Sequence, residues 1–284
     1  MIEQLRITVL VDDTAGGLGI LAEHGLAFWI EADGRNLLFD TGQGMALNHN
    51  ASALGIDLAT AGSVILSHGH YDHTGGIPAA AGRFLDAHLY VHPAAFAPKF
   101  ARRRDGTGQF ASAAAVNADS VGSHVARVVF TGRPTPVSEG IRVTGGIPRS
   151  NDFEDTGGPF FLDEACTIED PLTDDQALYL ESSEGIVVLL GCTHAGLVNT
   201  LEYIATLTGQ DRIHAVLGGM HLLQASDERM ARSLQALDRY GVRLIGPSHC
   251  TGLRAVARVM TTWPDRFISL KAGTRLTIPP GKTS

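Results

Sequence analysis

The segment Ser67-His68-Gly69-His70-Tyr71-Asp72-His73-Thr74-Gly75-Gly76 constrains this chain more than any other. Four groups able to bind a metal ion fall between positions 68 and 73, in a chain with only 12 histidines among 284 residues. Imidazole suits zinc, copper, iron or nickel, and a carboxylate beside it suits a site that activates water. The apolar run Ser63-Val64-Ile65-Leu66 leads directly into the cluster, which places the histidines on a loop at the C-terminal end of a strand. In an extended loop, residues two apart share a side. His68 and His70 can therefore converge on one ion while Asp72 and His73 reach a second. A polar loop of unmetallated histidines is the plain alternative, and the density of donors argues against it.

One loop cannot close two coordination spheres, so further ligands must come from elsewhere. Three candidates stand at expected strand ends: Gly191-Cys192-Thr193-His194, Gly218-Gly219-Met220-His221 and Pro247-Ser248-His249-Cys250. Taken singly, each is more simply a packed or capping histidine. Three in the same setting, beside a cluster that lacks partners, point to ligation.

Bulk properties narrow the function classes. Apolar residues make up 44% of the chain and charged residues 18%, which suits a globular protein rather than a disordered one. The charge balance, 22 − 30 = −8, repels a phosphate backbone, so nucleic acid is not an expected partner. No basic start followed by an apolar run and no membrane-length apolar stretch is visible, so a cytoplasmic location without a membrane partner is expected. Cys166, Cys192 and Cys250 are few and widely spaced, which suggests reduced thiols.

Period-2 patterns predict strands at Leu5 to Val11, Ala27 to Glu31 and Asn36 to Phe39, and later at Ile141 to Thr144, Ala177 to Leu180 and Ile186 to Leu190. Buried strands are expected at Ile213 to Leu217 and Val242 to Ile245. Helices are expected after Asn199, with Glu202 completing a capping box, around Met230 to Tyr240, and after Thr251. No linker divides the chain, so residues 1–284 read as one domain, with a cap-like insertion at about 83–140 and a long loop over 148–175.

The segment from Ser67 to Gly76 is similar to the signature of metallo-β-lactamase-fold hydrolases, and Leu37-Leu38-Phe39-Asp40-Thr41-Gly42 looks like the strand and turn before it. Gly145-Gly146-Ile147-Pro148-Arg149, Asp174-Asp175-Gln176-Ala177-Leu178, Gly191-Cys192-Thr193-His194-Ala195-Gly196 and Ser248-His249-Cys250-Thr251-Gly252 resemble one branch, the dihydropterin ribofuranosylaminobenzene 5′-phosphate synthase-like proteins. The resemblance runs from about Ile7 to Thr277. It implies an α/β fold of αββα type, two mixed sheets flanked by helices with metals at one edge. Cys192 departs from the pattern, since many members place a metal-bridging aspartate there. It is open to two readings, a thiolate ligand or a buried inert thiol. The usual third histidine in a Gly-His-Thr setting is also absent, and His194 is the expected replacement.

Together these readings assign His68, His70 and His194 to one ion and Asp72, His73 and His249 to the other. Asp72 also orients water, and His221 acts on substrate or behind the ligands. Asp40 is expected to support the loop, either through a ligand histidine or through backbone, and Arg149 to bind an anionic group. The expected cofactors are two divalent ions, zinc first, with Mn2+ or Fe2+ as alternatives. The expected reaction is hydrolysis of an ester, lactone or phosphoester in a small molecule that is anionic or phosphorylated. The alternatives are a transferase or synthase acting on a phosphoribosyl or pterin-like substrate, and a non-catalytic ligand-binding sensor of the same fold.

Overall fold

The computed structural model describes residues 1–112, 116, 117 and 119–279. Two mixed sheets stack face to face. The first holds seven strands in the order Arg275–Ile278, Leu5–Val11, Ala27–Ala32, Arg35–Phe39, Ser63–Ile65, His88–Val91, Arg127–Phe130. The second holds six, in the order Leu244–Ser248, Ile213–Gly219, Gly185–Leu190, Leu178–Ser182, Ile141–Val143, Thr135–Ser138.

Side-chain alternation builds the layers. In Gly185–Leu190, Val187 and Leu189 face the other sheet, and join Ile7, Phe28, Ile30 and Phe39 in a central core. Ile186, Val188 and Leu190 face outward under Leu197–Thr208, Asp227–Arg239 and Leu253–Thr262. On the far side, Leu10, Trp29, Leu38 and Val64 pack against Leu47 and Ala51 of the helix Leu47–Ala53. The result is the αββα sandwich the sequence led us to expect. Among the described residues no helix is long and apolar enough to cross a membrane.

Two sequence expectations change. Of the cap expected at about 83–140, His88–Val91 and Arg127–Phe130 are strands of the first sheet, and Thr135–Ser138 belongs to the second. The part outside both sheets centres on a small antiparallel sheet, Phe100–Arg102 with Gly108–Phe110 and Phe160–Phe161. The long loop over 148–175 supplies its third strand. His88–Val91 is a short parallel strand bonded on both sides, and Arg127–Phe130 and Thr135–Ser138 are four-residue, partly exposed edge strands, so none carries enough patterning of its own to make the boundaries legible.

The helix expected after Asn199 begins at Leu197, with Gly196 at its N-cap. Glu154 takes the capping role from across the fold, accepting from the backbone N–H of Val198 at 2.9 Å and of Asn199 at 3.0 Å. Asn199 instead accepts from the Ser150 N–H and donates to the Ala195 carbonyl, tying the 150 loop to the helix start.

The strands Ser63–Ile65, Gly185–Leu190, Ile213–Gly219 and Leu244–Ser248 each run into one histidine-bearing turn. The last three are parallel neighbours, so their C-terminal ends deliver Thr193-His194, His221 and His249 to the same sheet edge.

Candidate metal centre

His68 and His73 are wholly buried, and His70 and Asp72 nearly so. The loop is held rigidly. Asp40 is buried at the end of its strand and receives the Ser67 N–H on Oδ1 at 2.7 Å and the Ser67 hydroxyl on Oδ2 at 2.7 Å. The same Oδ2 lies 2.7 Å from His73 Nδ1. Both roles foreseen for Asp40 are therefore present: it fixes backbone and orients a histidine, leaving Nε2 as the free donor. The Ser67 hydroxyl is also 2.8 Å from His68 Nδ1.

Gly69, between the first two histidines, lies against the chain at Ala95. A Cβ there would come within 2.1 Å of the Ala95 carbonyl oxygen, so no side chain fits. Its N–H is bound by Asp174 Oδ2 at 2.8 Å. Behind it the buried Lys99 ammonium bridges Asp174, at 2.8 Å, and Asp170, at 3.0 Å. Burial works against that ammonium, but the two carboxylates win and raise its pKa.

The remaining turns arrive in strained backbone. Thr193, His221 and His249 have φ of 63°, 45° and 47°, left-handed values that non-glycine residues adopt only when the surroundings enforce them. The His68 and His194 rings are 4.8 Å apart, those of His70 and His194 4.9 Å, and those of His73 and His249 5.1 Å. Asp72 Oδ2 lies 3.4 Å from His249 Nε2 and 3.7 Å from His73 Nε2. The expected metal ligands thus come together, as two groups side by side.

Cys192 sits between the groups. One set of closely spaced donor atoms is His68, Cys192 and His194, a second His73, Cys192 and His249, and a third Cys192, His221 and Cys250. His221 is at the rim, its ring 4.5 Å from that of His194 and its Nε2 3.1 Å from the Gly157 carbonyl. Arg149 is placed otherwise than an anion binder needs. Its guanidinium donates to the carbonyls of Glu154 and His194, bracing the His194 turn from behind. Of the arginine run at 102–104, Arg102 stacks on Phe161 at 4.2 Å and donates to the Cys166 carbonyl.

Electrostatics match the donor set at His68, His70, His194 and Asp72. At His249, by contrast, burial is outweighed by Asp13 and Asp72, which raise the imidazole well above its usual range, so it would have to give up a proton to a metal. Burial, reinforced by the neighbouring histidines, pushes His68 and His194 well below the usual imidazole range, and burial holds His70 at about 4. Burial alone would raise Asp72, but His73 and His249 beside it hold the carboxyl well below its usual range. Neutral imidazoles and an ionised carboxylate are the states in which these groups bind metals. Two buried imidazole nitrogens, His70 Nε2 and His194 Nε2, have no hydrogen-bond partner, while His249 Nε2 meets the Asp72 carboxylate and His221 neighbours the Cys250 thiol. Each such group costs about 1–3 kcal/mol when left unpaired, so these two nitrogens fit a metal centre and are poorly explained without one.

Two participants had no sequence signal. His24 Nε2 is 3.3 Å from Asp72 Oδ2, and its Nδ1 is 3.0 Å from Asp13, whose other oxygen is 2.6 Å from His249 Nδ1. Both come from the turns after the first strand and before the second, far from any motif. The cluster opens into a cavity of about 350 Å³ roofed by Phe110 and Phe160 of the small sheet, with the His70 and Phe160 rings 4.8 Å apart.

Histidines, a carboxylate and a thiol gathered at one edge of an αββα sandwich define a metal-binding protein of metallo-β-lactamase type. The chain belongs to the metallo-β-lactamase superfamily, whose family model matches residues 21–249. It is 29% identical, over 96% of both chains, to the 7,8-dihydropterin-6-methyl-4-(β-D-ribofuranosyl)-aminobenzene-5′-phosphate synthase of Methanocaldococcus jannaschii. It is 30% identical to Tm1679, described as a metal-dependent hydrolase of the β-lactamase superfamily, with a TM-score of 0.82 over 97% of this chain and 99% of that one. The Zn2+-bound PqqB of Methylobacterium extorquens shares the fold at 15% identity, with a TM-score of 0.60 over 96% of this chain and all of that one.

Proposed function

We propose that the protein is a metal-dependent hydrolase whose dinuclear centre, zinc by preference, acts on an ester, lactone or phosphoester bond of a small molecule. One observation carries the reading: buried imidazoles converge from four separate loops on Asp72 and Cys192, and the inward nitrogens of His70 and His194 have no other partner. In this reading His68, His70 and His194 hold one ion, Asp72, His73 and His249 the other, with Cys192 between them. If bound, two such ions would supply Lewis acidity and lower the pKa of a nearby water toward neutrality. Imidazole with thiol and carboxylate is a donor set that favours zinc over harder ions.

The chain's own groups do the rest. Asp72 offers a carboxylate oxygen to orient the attacking water, and the Asp13–His24 pair keeps that oxygen in place from the solvent side. His221 lines the rim of the cavity and is positioned to meet the substrate. Phe110 and Phe160 give the cavity an apolar wall opposite the cluster.

The test loads the protein with zinc, measures metal content, and assays esters, lactones and phosphodiesters. The expected result is about two metal equivalents and turnover that falls by roughly 100-fold or more in Asp72→Ala while the fold survives. A folded protein that carries no metal overturns the reading. A synthase role is the second reading, favoured by the name and near-complete overlap of the M. jannaschii relative. Two bound metals without hydrolysis of any ester class would favour it.

A further inference from the structure

Beside the metal cavity lies a second one of about 270 Å³, and the two share His221, Gly157 and Gln224 in their walls. Its size is below that of a pocket for a whole drug-sized ligand and fits one small polar group. Arg229 forms part of its wall. Arg229 stands in the first turn of the helix Asp227–Arg239, yet its side chain is only 2% exposed. Most arginines so placed reach water, because a guanidinium carries five donors and a full charge.

The partners of this guanidinium are incomplete. Nη1 meets Asp155 Oδ1 at 2.5 Å, while Nε and Nη2 have no partner. Those two nitrogens form the side edge of the group, whose parallel N–H bonds match two oxygens of a phosphate or carboxylate. Asp155 itself marks an oxyanion position. Its Oδ1 accepts from Arg229 and from the Gly157 N–H at 2.8 Å, although its side chain is 78% exposed and rests on a loop. The loop's approach is fixed by Gly157, since a Cβ there would fall 1.9 Å from the His221 ring.

We infer that the Arg229 cavity is a phosphate subsite, which takes the phosphate monoester end of the substrate on the guanidinium edge that Asp155 leaves unpaired, with the Asp155 carboxylate as a competing negative charge beside it. The proposal rests on the hydrolase reading only for what happens next door: a molecule anchored here passes His221 and presents its remaining atoms to the metal cluster. It gives the small-molecule substrate a chemical class, a phosphorylated compound whose reacting bond is distinct from its anchoring phosphate.

The test titrates the metal-loaded protein calorimetrically with ribose 5-phosphate, inorganic phosphate and uncharged ribose, alongside Arg229→Gln and Asp155→Asn, with metal content measured for each. The expected result is ribose 5-phosphate affinity at least about tenfold weaker in Arg229→Gln and tighter in Asp155→Asn, with ribose not binding and metal content equal throughout. Equal affinities in wild type and Arg229→Gln would put the phosphate on the metal ions alone and overturn the subsite. If Arg229→Gln fails to fold, Asp155→Asn decides, and unchanged or weaker binding overturns the proposal. Arg229-dependent binding by a protein that takes up no metal would keep the subsite and remove the hydrolase reading.

Discussion

His73 Nε2 lies 3.2 Å from Cys192 Sγ, while His73 Nδ1 is held by Asp40. The histidine is thus locked with its free nitrogen against a buried thiol that also neighbours His68, His194 and His249. Without metal, burial and Cys250 push the Cys192 thiol well above its usual range, so it is neutral. As a metal ligand it would have to give that proton up to solvent. Protein loaded with cobalt(II) is expected to show a sulfur-to-metal charge-transfer absorption that Cys192→Ala and Cys192→Asp both lose, with Cys192→Asp retaining two metals. A spectrum unchanged by both substitutions would assign Cys192 as an inert thiol.

Asp40 touches the histidine, the Ser67 hydroxyl and the Ser67 backbone with one carboxylate. Asp40→Asn keeps the shape but puts an amide where two acceptor oxygens are needed. Metal affinity is expected to fall by about 10–100-fold, as such supporting contacts commonly require. Competition with a chelating dye measures it, and wild-type affinity in the folded variant would mean that the loop is held by Lys99 and Asp174 instead.

His194 is bound on Nδ1 by the Thr156 carbonyl at 2.8 Å, which leaves Nε2 unpartnered inside the cluster. His194→Ala is expected to lose one metal equivalent or to weaken its binding at least about tenfold. Retention of two tightly bound ions would move the missing ligand to His221.

The metal-free protein should lose stability as pH falls from about 6.5 toward 4. His68, His70 and His194 have folded pKa values below the unfolded value, so across that window the unfolded chain binds more protons. His70, at about 4 when folded, alone contributes a loss on the order of 3 kcal/mol. Asp175 opposes them, because burial raises it to about 7 and the folded state takes up its proton first. Asp12 is raised as well, and so are His24, His221 and His249, but those three histidines act mainly above pH 6.5, so the three lowered imidazoles set the sign below it. Thermal melts of chelator-treated protein at pH 7 and pH 5 check this, and an equal or higher midpoint at pH 5 would contradict it.

The donor-dense loop from His68 to His73 was legible because ligands for one ion pair sat within a single turn of chain, and the strand before it was marked by an apolar run. The layered fold was legible for a similar reason, since strands such as Gly185–Leu190 alternate inner Val187 and Leu189 with outer Val188 and Leu190. His194, His221 and His249 could be suspected because each follows a buried strand directly. What the sequence could not supply was distance. His24 and Asp13 reach Asp72 and His249 only because antiparallel pairing of Leu5–Val11 with Ala27–Ala32 brings their ends to the metal edge. Arg149 was expected at an anion and braces a turn, whereas Arg229 carried no sequence signal and became buried beside a cavity. Local pattern determines which residues can form a strand, a helix or a ligand loop, because those choices depend on neighbours along the chain. Which donors share a proton, and which charge is left without a partner, depends on side chains more than 100 positions apart, as with Cys192 against His73. Only the packed sheets fix those distances.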